Sequence, residues 1–476
     1  MGQKVIEQYD YLHRLDVATD LILLGCTKLN AYTLEELMPI AMPLLESAPQ
    51  YVRDQVNNIQ MPAVAAAIKP KNRKAVGTHF VAFKQYMADL TDAIEAGKPL
   101  IHHFPSMTPE PFIAMDVAPI SVEALALYIA ACFNDGVEVE ADEFEAEGFA
   151  SHTCAYQKAP FRAIEKGFLP MPDVFVTTTA PCNSSNMLYQ YMIEKHQKPI
   201  FCVDSPYYWN KRSFEYFLNE YKNTIEGVQK VTGHKIDVDV LRKHVKMSNE
   251  QLSYQYKLQQ LRRIKPNPDP GMHRALDTGA WLVAGSNELW IDYMKVLYEE
   301  AKLRADNGVG VVPEGMEEIR TLHTYGYLAH TIYMPDWLEE NCGSSLAECG
   351  LSVYPGELVG LVDTTSLDSM LEGLAWRSFN AVMHRTVMTF VDLHINDMVK
   401  IAKEYQVDAA VFAGNHSCKY VWTLPKMLSE ALQDNLGIPC LTFEFDLVDK
   451  RFTQREVVFG LLSEFFNNIR AGRKER

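Results

Sequence analysis

Three of the nine cysteines in the sequence lie among polar residues, which makes them candidates for chemistry. Cys154 lies in the segment His-Thr-Cys-Ala-Tyr, Cys182 in Pro-Cys-Asn-Ser-Ser and Cys418 in His-Ser-Cys-Lys-Tyr. The thiolate is the form of cysteine that binds metals and attacks electrophiles, and a nearby helix N-terminus favours it. The other six cysteines lie in apolar or helical settings and are expected to be small core residues: Cys26, Cys132, Cys202, Cys342, Cys349 and Cys440.

The spacing of the three cysteines does not identify one chemistry. Separations of 28 and 236 residues match neither a zinc finger nor a bacterial ferredoxin. A Cys-His pair, either Cys418 with His416 or Cys154 with His152, stays open, although residues two apart on a strand lie roughly 6 to 7 Å apart. The sequence contains no Walker A loop, no Gly-x-Gly-x-x-Gly opening a helix, no His-Glu-x-x-His and no Gly-x-Ser-x-Gly. We therefore expect this chain to bind no nucleotide.

Short apolar runs, each followed by a turn and a helix, predict an α/β fold with parallel sheets. The runs cover 99–104, 173–177, 199–204, 407–414 and 438–446. We expect two Rossmann- or flavodoxin-like lobes with parallel sheets, a helical insertion between them and a helical N-terminal section. The corresponding boundaries are 1–97 for the N-terminal section, 98–211 for the first lobe, 212–335 for the insertion and 336–476 for the second lobe.

The positions of the cysteines in these lobes predict a shared cleft. Cys182 and Cys418 each follow a predicted strand, and ligands lie at the carboxyl ends of strands in open parallel sheets. Cys154 belongs to the first lobe as well. The neighbouring His102 and His103 point to opposite faces of a strand, so we expect a mixture of core and surface roles for them.

Composition excludes several classes of function. The formal net charge of −16 over 476 residues argues against nucleic acid or an anionic membrane as the main partner. No apolar run reaches the roughly 18 to 20 residues that a membrane-spanning helix needs, and the first residues lack the order of a secretory signal. An odd number of cysteines without dense spacing argues against a disulfide framework. We expect a cytoplasmic protein.

Five sequence blocks, in order, resemble the 2-hydroxyacyl-CoA dehydratase and benzoyl-CoA reductase family from about residue 98 to 470. They are Cys154-Ala-Tyr156, Leu169-Pro-Met-Pro-Asp173 with the strand leading to Cys182-Asn183, Lys198 through Asp204-Ser-Pro-Tyr207, Asn415-His-Ser-Cys418-Lys419, and Gly437-Ile-Pro439 through Arg451. The resemblance implies that Cys154, Cys182 and Cys418 hold a 4Fe-4S cluster. In the family's α-type subunit, the fourth iron is left open for substrate.

The resemblance also implies a reaction and partners. A separate ATP-hydrolysing iron-sulfur activator supplies one electron, and an (R)-2-hydroxyacyl-CoA then loses water through a ketyl radical. A related second subunit completes a heterodimer, and the acyl-CoA is the substrate. Ser106 is a candidate for hydrogen-bonding that substrate. For Asn183, Ser184, Asn415 and Ser417, turn formation or helix capping and a hydrogen bond to cluster sulfur are both open.

Three alternatives remain at the level of sequence: a benzoyl-CoA reductase subunit, an iron-sulfur protein without a thioester pocket, and a relative of the same fold that has no cluster and binds a small molecule in the cleft. Asp204 and the Asn415-x-Ser-Cys-Lys block resemble the dehydratases, whereas Asp446-Leu-Val-Asp449-x-Arg451 is more similar to subunits of ATP-dependent benzoyl-CoA reductases. An iron-sulfur relative that only transfers electrons would keep the three cysteines and lack a thioester pocket.

Overall fold

The computed structural model describes residues 3–27, 41–43, 45–46, 48–57, 67, 69–133, 136–283, 287–326, 329–351 and 359–474. The fold contains two four-stranded parallel sheets among its helices, with strand orders β2-β1-β3-β4 and β6-β5-β7-β8. The strands are β1 Leu100–His103, β2 Ala118–Ile120, β3 Val174–Thr178, β4 Ile200–Val203, β5 Ile319–His323, β6 Ser344–Cys349, β7 Ala409–Asn415 and β8 Cys440–Phe445. The expected fold of two parallel-sheet lobes with a helical N-terminal section is confirmed.

Helices of the first part of the chain make up the N-terminal section and surround the first sheet. They are Gln3–Gln8, Asp10–Thr27, Gln50–Asn57, Arg73–Glu95, Glu110–Ile113, Val122–Cys132, Glu138–Ala146, Ala155–Glu165 and Asn183–His196. The later helices are Lys211–Thr232, Val238–Arg262, Met272–Leu282, Leu289–Asp306, Met334–Trp337, Leu367–Phe379, Val382–Arg385, Asp392–Glu404, Pro425–Leu436 and Arg455–Lys474. No helix in the described part of the chain is long and apolar enough to cross a bilayer.

The long helices between the sheets have clear local signals at their ends. Gly233, with φ of +77°, ends the helix Lys211–Thr232 in the left-handed conformation that glycine adopts without strain. Asp237 then starts the helix Val238–Arg262, because its carboxylate accepts the backbone N–H groups of Asp239 and Val240. Phe217, Tyr221 and Ile225 of the first of these helices pack in the same apolar core as strands β1 and β3.

Three strands were missed by the sequence reasoning. Strand β2 has only three residues and contains Pro119, while β5 and β6 include Arg320 and Glu348, both fully buried. Strand β5 therefore lies inside 212–335, the range expected to be a helical insertion, and pairs with β6 and β7 of the second sheet. The domain boundaries themselves stay a prediction.

The expectation of a surface role among the paired histidines of β1 was wrong. His102 and His103 are both buried, because a parallel sheet is covered on its two faces. His102 Nε2 lies 2.7 Å from the Tyr189 hydroxyl, and His103 Nδ1 donates to the Met107 carbonyl at 3.2 Å.

Candidate metal centre

Cys154, Cys182 and Cys418 line the same two adjoining cavities. The larger, of about 480 Å³, also has His152, Ser184 and Lys419 in its wall. The smaller, of about 100 Å³, has a mainly apolar wall that includes Ser106. The fold therefore brings together three thiols that are separated in the sequence. Cys182 and Cys418 follow strands β3 and β7 of the two sheets, and Cys154 precedes the helix Ala155–Glu165.

Two of the thiols lie at helix N-termini, as the sequence suggested. Cys154 and Cys182 occupy the residue before the helices Ala155–Glu165 and Asn183–His196, and Cys182 Sγ accepts the backbone N–H of Ser185 at 3.3 Å. Cys418 lies in the turn after β7, where its N–H donates to the Asn415 carbonyl at 2.9 Å. The partial positive charge of a helix N-terminus favours an anionic sulfur or an anionic group bound through it.

Cys154 is buried and Cys182 and Cys418 are half-buried, and the proximity of the three thiols disfavours their simultaneous ionisation. Burial raises the pKa of Cys418 to about 11 and also raises the pKa of Cys182. The pKa of Cys154 lies well above its usual value because of burial, and then because of Asp446 and the other two thiols. A cationic metal group held between the sulfurs would reverse this preference.

Three thiols that line the same cavities are a donor set that an iron-sulfur cluster can use. Across the described ranges, no three His, Cys, Asp or Glu side chains are gathered as they would be around one metal ion. Three thiols around a cavity instead suit a cluster, in which separate irons bind separate thiolates. The residues present therefore fit the implied group.

Polar side chains surround the sulfurs. The Tyr325 hydroxyl donates a hydrogen bond to Cys418, and Asn415 Nδ2 donates to Cys154 Sγ at 3.7 Å. Asn415 also forms a turn, since its Oδ1 accepts from the N–H and hydroxyl of Ser417 at 3.3 and 3.1 Å. Asn415 therefore has both roles considered from the sequence, turn formation and a hydrogen bond to a cysteine sulfur. No local pattern indicated Tyr325, because it follows the missed strand β5.

Ser106 lies against the smaller cavity and is held by a buried histidine. His384 Nδ1 lies 2.6 Å from the Ser378 carbonyl and must donate to it, so the other ring nitrogen of the neutral imidazole, Nε2, is an acceptor. Burial lowers the pKa of His384 to about 4, which keeps it neutral. The Thr178 hydroxyl donates to the Ala180 carbonyl at 2.6 Å.

These assignments determine the direction of the Ser106 hydrogen bond. Its hydroxyl lies 3.2 Å from His384 Nε2 and 3.3 Å from Thr178 Oγ1, both of which can only accept from it. Ser106 therefore donates its proton inward, and its oxygen lone pairs are available to accept a hydrogen bond from the cavity. Sequence reasoning identified Ser106 but missed His384, which is 278 residues away.

The Cys418–His416 pair considered from sequence is not formed. His416 Nδ1 instead pairs with Glu444 Oε1 at 2.9 Å, and its ring stacks on Phe452 at 4.2 Å between centroids. His152 lines the larger cavity beside Cys154.

The chain matches the family described as 2-hydroxyglutaryl-CoA dehydratase, D-component, over residues 105–464, and it belongs to that family. The match contains all three cysteines and Ser106, and it leaves out the N-terminal helices. One relative, the (R)-phenyllactyl-CoA dehydratase alpha subunit of Clostridium sporogenes, is 22% identical over 348 residues, which cover 70% of this chain and 80% of the relative.

Two further relatives are similar at comparable identity. Lactoyl-CoA dehydratase subunit alpha of Anaerotignum propionicum is 21% identical over 304 residues, covering 60% of this chain and 66% of the relative. The (R)-2-hydroxyglutaryl-CoA dehydratase subunit alpha of Acidaminococcus fermentans is 21% identical over 294 residues, covering 60% of this chain and 57% of the relative. The resemblance read from the sequence blocks is confirmed.

Proposed function

We propose that this chain is the 4Fe-4S subunit of a 2-hydroxyacyl-CoA dehydratase, with Cys154, Cys182 and Cys418 as the cluster ligands. The observation that carries the proposal is the meeting of these three thiols at one pair of cavities. Membership in the dehydratase family and relatives named as alpha subunits of three such dehydratases support it.

When bound, the cluster would supply one-electron reduction of the thioester and a Lewis-acidic iron. The chain's own residues hold and surround it. The helix N-termini at Cys154 and Cys182 offset the negative charge of the thiolates, and Tyr325 and Asn415 hold two of the sulfurs by hydrogen bonds.

The smaller cavity receives the acyl group next to the cysteines and excludes water from it. Because the Ser106 proton is used by His384 or Thr178, Ser106 accepts a hydrogen bond from the substrate's 2-hydroxyl group. This hydrogen bond orients the hydroxyl that leaves as water.

The proposal includes two protein partners and a location. A related second subunit forms a heterodimer with this chain, in line with relatives that are named alpha subunits. A separate ATP-hydrolysing iron-sulfur activator delivers the electron, and the complex works in the cytoplasm. A partner protein reaches the cysteines through the larger cavity, which has Lys419 in its wall.

The first test is iron and sulfide content with an EPR spectrum on anaerobically purified protein, comparing wild type, Cys418→Ala and the control Cys440→Ala. Cys440 belongs to the same lobe but lies in strand β8. We expect about four irons per chain in wild type and control and a large loss in Cys418→Ala. An iron-free anaerobic wild type, or equal iron in all three proteins, would contradict the ligand assignment.

The second test is dehydration of 2-hydroxyacyl-CoA thioesters with the partner subunit and activator present. Turnover supports the dehydratase, whereas reduction of an aromatic acyl-CoA would support the reductase alternative. The segment 446–451, which resembled the reductases, has a structural role in this chain. Its Arg451 pairs with Asp449, Asp142 and Glu145 at 2.6, 3.0 and 2.9 Å. If no acyl-CoA changes the spectrum of the cluster, this result would indicate an electron-transfer protein.

A further inference from the structure

The wall of the smaller cavity contains no charged side chain among the residues that the structure describes there. Its apolar part includes Leu127, Leu351, Val382, Val387 and Leu447. The polar atoms come from neutral side chains such as Ser106 and Thr386. The described part of the wall can therefore form hydrogen bonds but offers no counter-charge.

The charged groups behind this wall are acidic or already paired; the buried Arg385, next to Thr386, pairs with Asp397 at 2.9 Å. Asp446 precedes Leu447 of the cavity wall, and its carboxylate lies 3.5 Å from the Ser417 hydroxyl. Glu123 Oε1 lies 3.5 Å from the Tyr189 hydroxyl. The buried cation Lys158 is already paired with Glu145 and donates to the Ser151 carbonyl at 3.0 Å. Lys419 lines the larger cavity. A carboxylate in the smaller cavity would thus lose its hydration and meet like charges.

Cavity size limits the acyl group further. The volume of about 100 Å³ is of the same order as the roughly 150 Å³ apolar cavity that holds one benzene molecule. A short aliphatic chain or a single ring fits such a space.

We infer, on the basis of the proposed function, that this cavity selects 2-hydroxyacyl-CoA thioesters with a compact, uncharged, apolar acyl group and rejects those that end in a carboxylate. Leu351 and its apolar neighbours determine this selectivity. Burial of an unpaired charge costs several kcal/mol, whereas burial of a hydrocarbon group of the same shape is favourable.

A matched pair of thioesters tests the effect of the terminal charge on binding, at nearly constant shape. In 2-hydroxy-5-methylhexanoyl-CoA an isopropyl group replaces the terminal carboxylate of 2-hydroxyglutaryl-CoA at nearly the same shape. We expect the wild-type, cluster-loaded protein to bind the neutral thioester at least about 100-fold more tightly, measured by calorimetry under anaerobic conditions. The affinity of free CoA gives the contribution of the CoA part that both thioesters share.

The outcomes separate the two proposals. Equal affinities, or tighter binding of the charged thioester, would overturn the selectivity and leave the dehydratase proposal standing. If neither thioester binds more tightly than free CoA, the proposed function fails and the selectivity fails with it. Lactoyl- and phenyllactyl-CoA then test size, and we expect both to bind more tightly than 2-hydroxyglutaryl-CoA.

A charge placed in the cavity wall should change the preference. Leu351→Arg introduces a counter-charge, and we expect it to improve the affinity ratio for 2-hydroxyglutaryl-CoA by at least about tenfold. The control Leu361→Arg makes the same change at a side chain that is 58% exposed, and it should leave the ratio unchanged. Iron content shows whether each variant is folded. The wild-type comparison decides the question if Leu351→Arg does not fold.

Discussion

The two lobes have the same strand topology but differ in the side chains that surround it. Both sheets have their strands in the order second, first, third, fourth, and in both a cysteine follows the third strand, Cys182 after β3 and Cys418 after β7. An aspartate follows the fourth strand in each lobe. Asp204 accepts the Thr179 hydroxyl at 2.7 Å, and the Ser417 hydroxyl lies 3.5 Å from Asp446.

The difference lies in how the two sheets are held. The first sheet packs on the helix Lys211–Thr232 through an apolar core. In the second, Arg320 of β5 donates to the carbonyls of Arg262 and Ile264 at 2.6 and 2.9 Å, and Glu348 of β6 faces the Arg262 guanidinium at 3.4 Å. The second sheet thus adds ionic support to an apolar core of its own, and the ionic support makes the second lobe sensitive to loss of a single charge.

The largest effect is expected from Arg262→Met. Arg262 is fully buried and pairs with Asp269, Asp277 and Glu348 at 2.8, 2.6 and 3.4 Å. Removing the cation leaves buried carboxylates without a full set of partners, which costs about 3 to 5 kcal/mol of unfolding free energy. Chemical denaturation followed by circular dichroism measures the loss.

The neighbouring residue provides the control. Arg263 pairs with Glu404 at 2.8 Å, but its side chain is 32% exposed. Arg263→Met should therefore cost less than about 1 kcal/mol. Similar losses in the two variants would show that the buried ion network does not hold the second lobe.

The two aspartates compare the lobes directly. Asp446 is buried and accepts the backbone N–H groups of Val448 and Asp449, both at 3.0 Å, whereas Asp204 is half-buried and its partner Tyr216 is exposed. We expect Asp446→Ala to cost about 2 kcal/mol, because it leaves buried N–H groups without acceptors, and Asp204→Ala to cost less than about 1 kcal/mol.

Thermal unfolding measures the difference between the aspartate variants. The rate of iron loss to a chelator gives an independent measurement, and it should rise more in Asp446→Ala than in Asp204→Ala. The reverse order would show that the half-buried aspartate of the first lobe contributes more to the site than the buried one.

Local signals made part of this structure predictable. Apolar runs identified β1, β3, β4, β7 and β8, and polar surroundings identified the three cysteines. Strands β5 and β6 were missed because Arg320 and Glu348 are unfavourable in a buried strand unless distant partners neutralise or solvate them. Tyr325 and His384 were missed for the same kind of reason, because their roles depend on contacts with Cys418 and Ser106 that are far from them in the sequence.

The first strands of the two lobes end in buried histidines that predict a pH effect. Burial lowers the pKa of His323 to about 4 and that of His103 to about 3. Each histidine is neutral in the folded protein and becomes protonated below about pH 6.5 in the unfolded chain, so stability falls as the pH decreases from 6.5 toward 4. At pH 5, each contributes a loss of about 2 kcal/mol.

Substitution by leucine should remove that loss in both lobes. Relative to wild type, His323→Leu and His103→Leu should each gain about 2 kcal/mol between pH 7 and pH 5. At pH 7 they should differ, since His103 loses its hydrogen bond to Met107 while neither ring nitrogen of His323 has a hydrogen-bond partner within the described ranges. Thermal unfolding at the two pH values measures both effects. An unchanged pH dependence would show that these histidines are charged in the folded protein.

Variants in the loops after the first strands, β1 and β5, should affect substrate binding and cluster retention separately. After β1, Ser106 faces the smaller cavity and donates toward His384, and after β5, Tyr325 donates to Cys418. Ser106→Ala should lower kcat/KM for a 2-hydroxyacyl-CoA about tenfold, the usual effect of one lost hydrogen bond, and leave iron content unchanged. Tyr325→Phe should instead shift the reduction potential of the cluster and speed iron loss, because a hydrogen bond to its sulfur is removed. If both variants change both properties equally, the two lobes do not divide these roles.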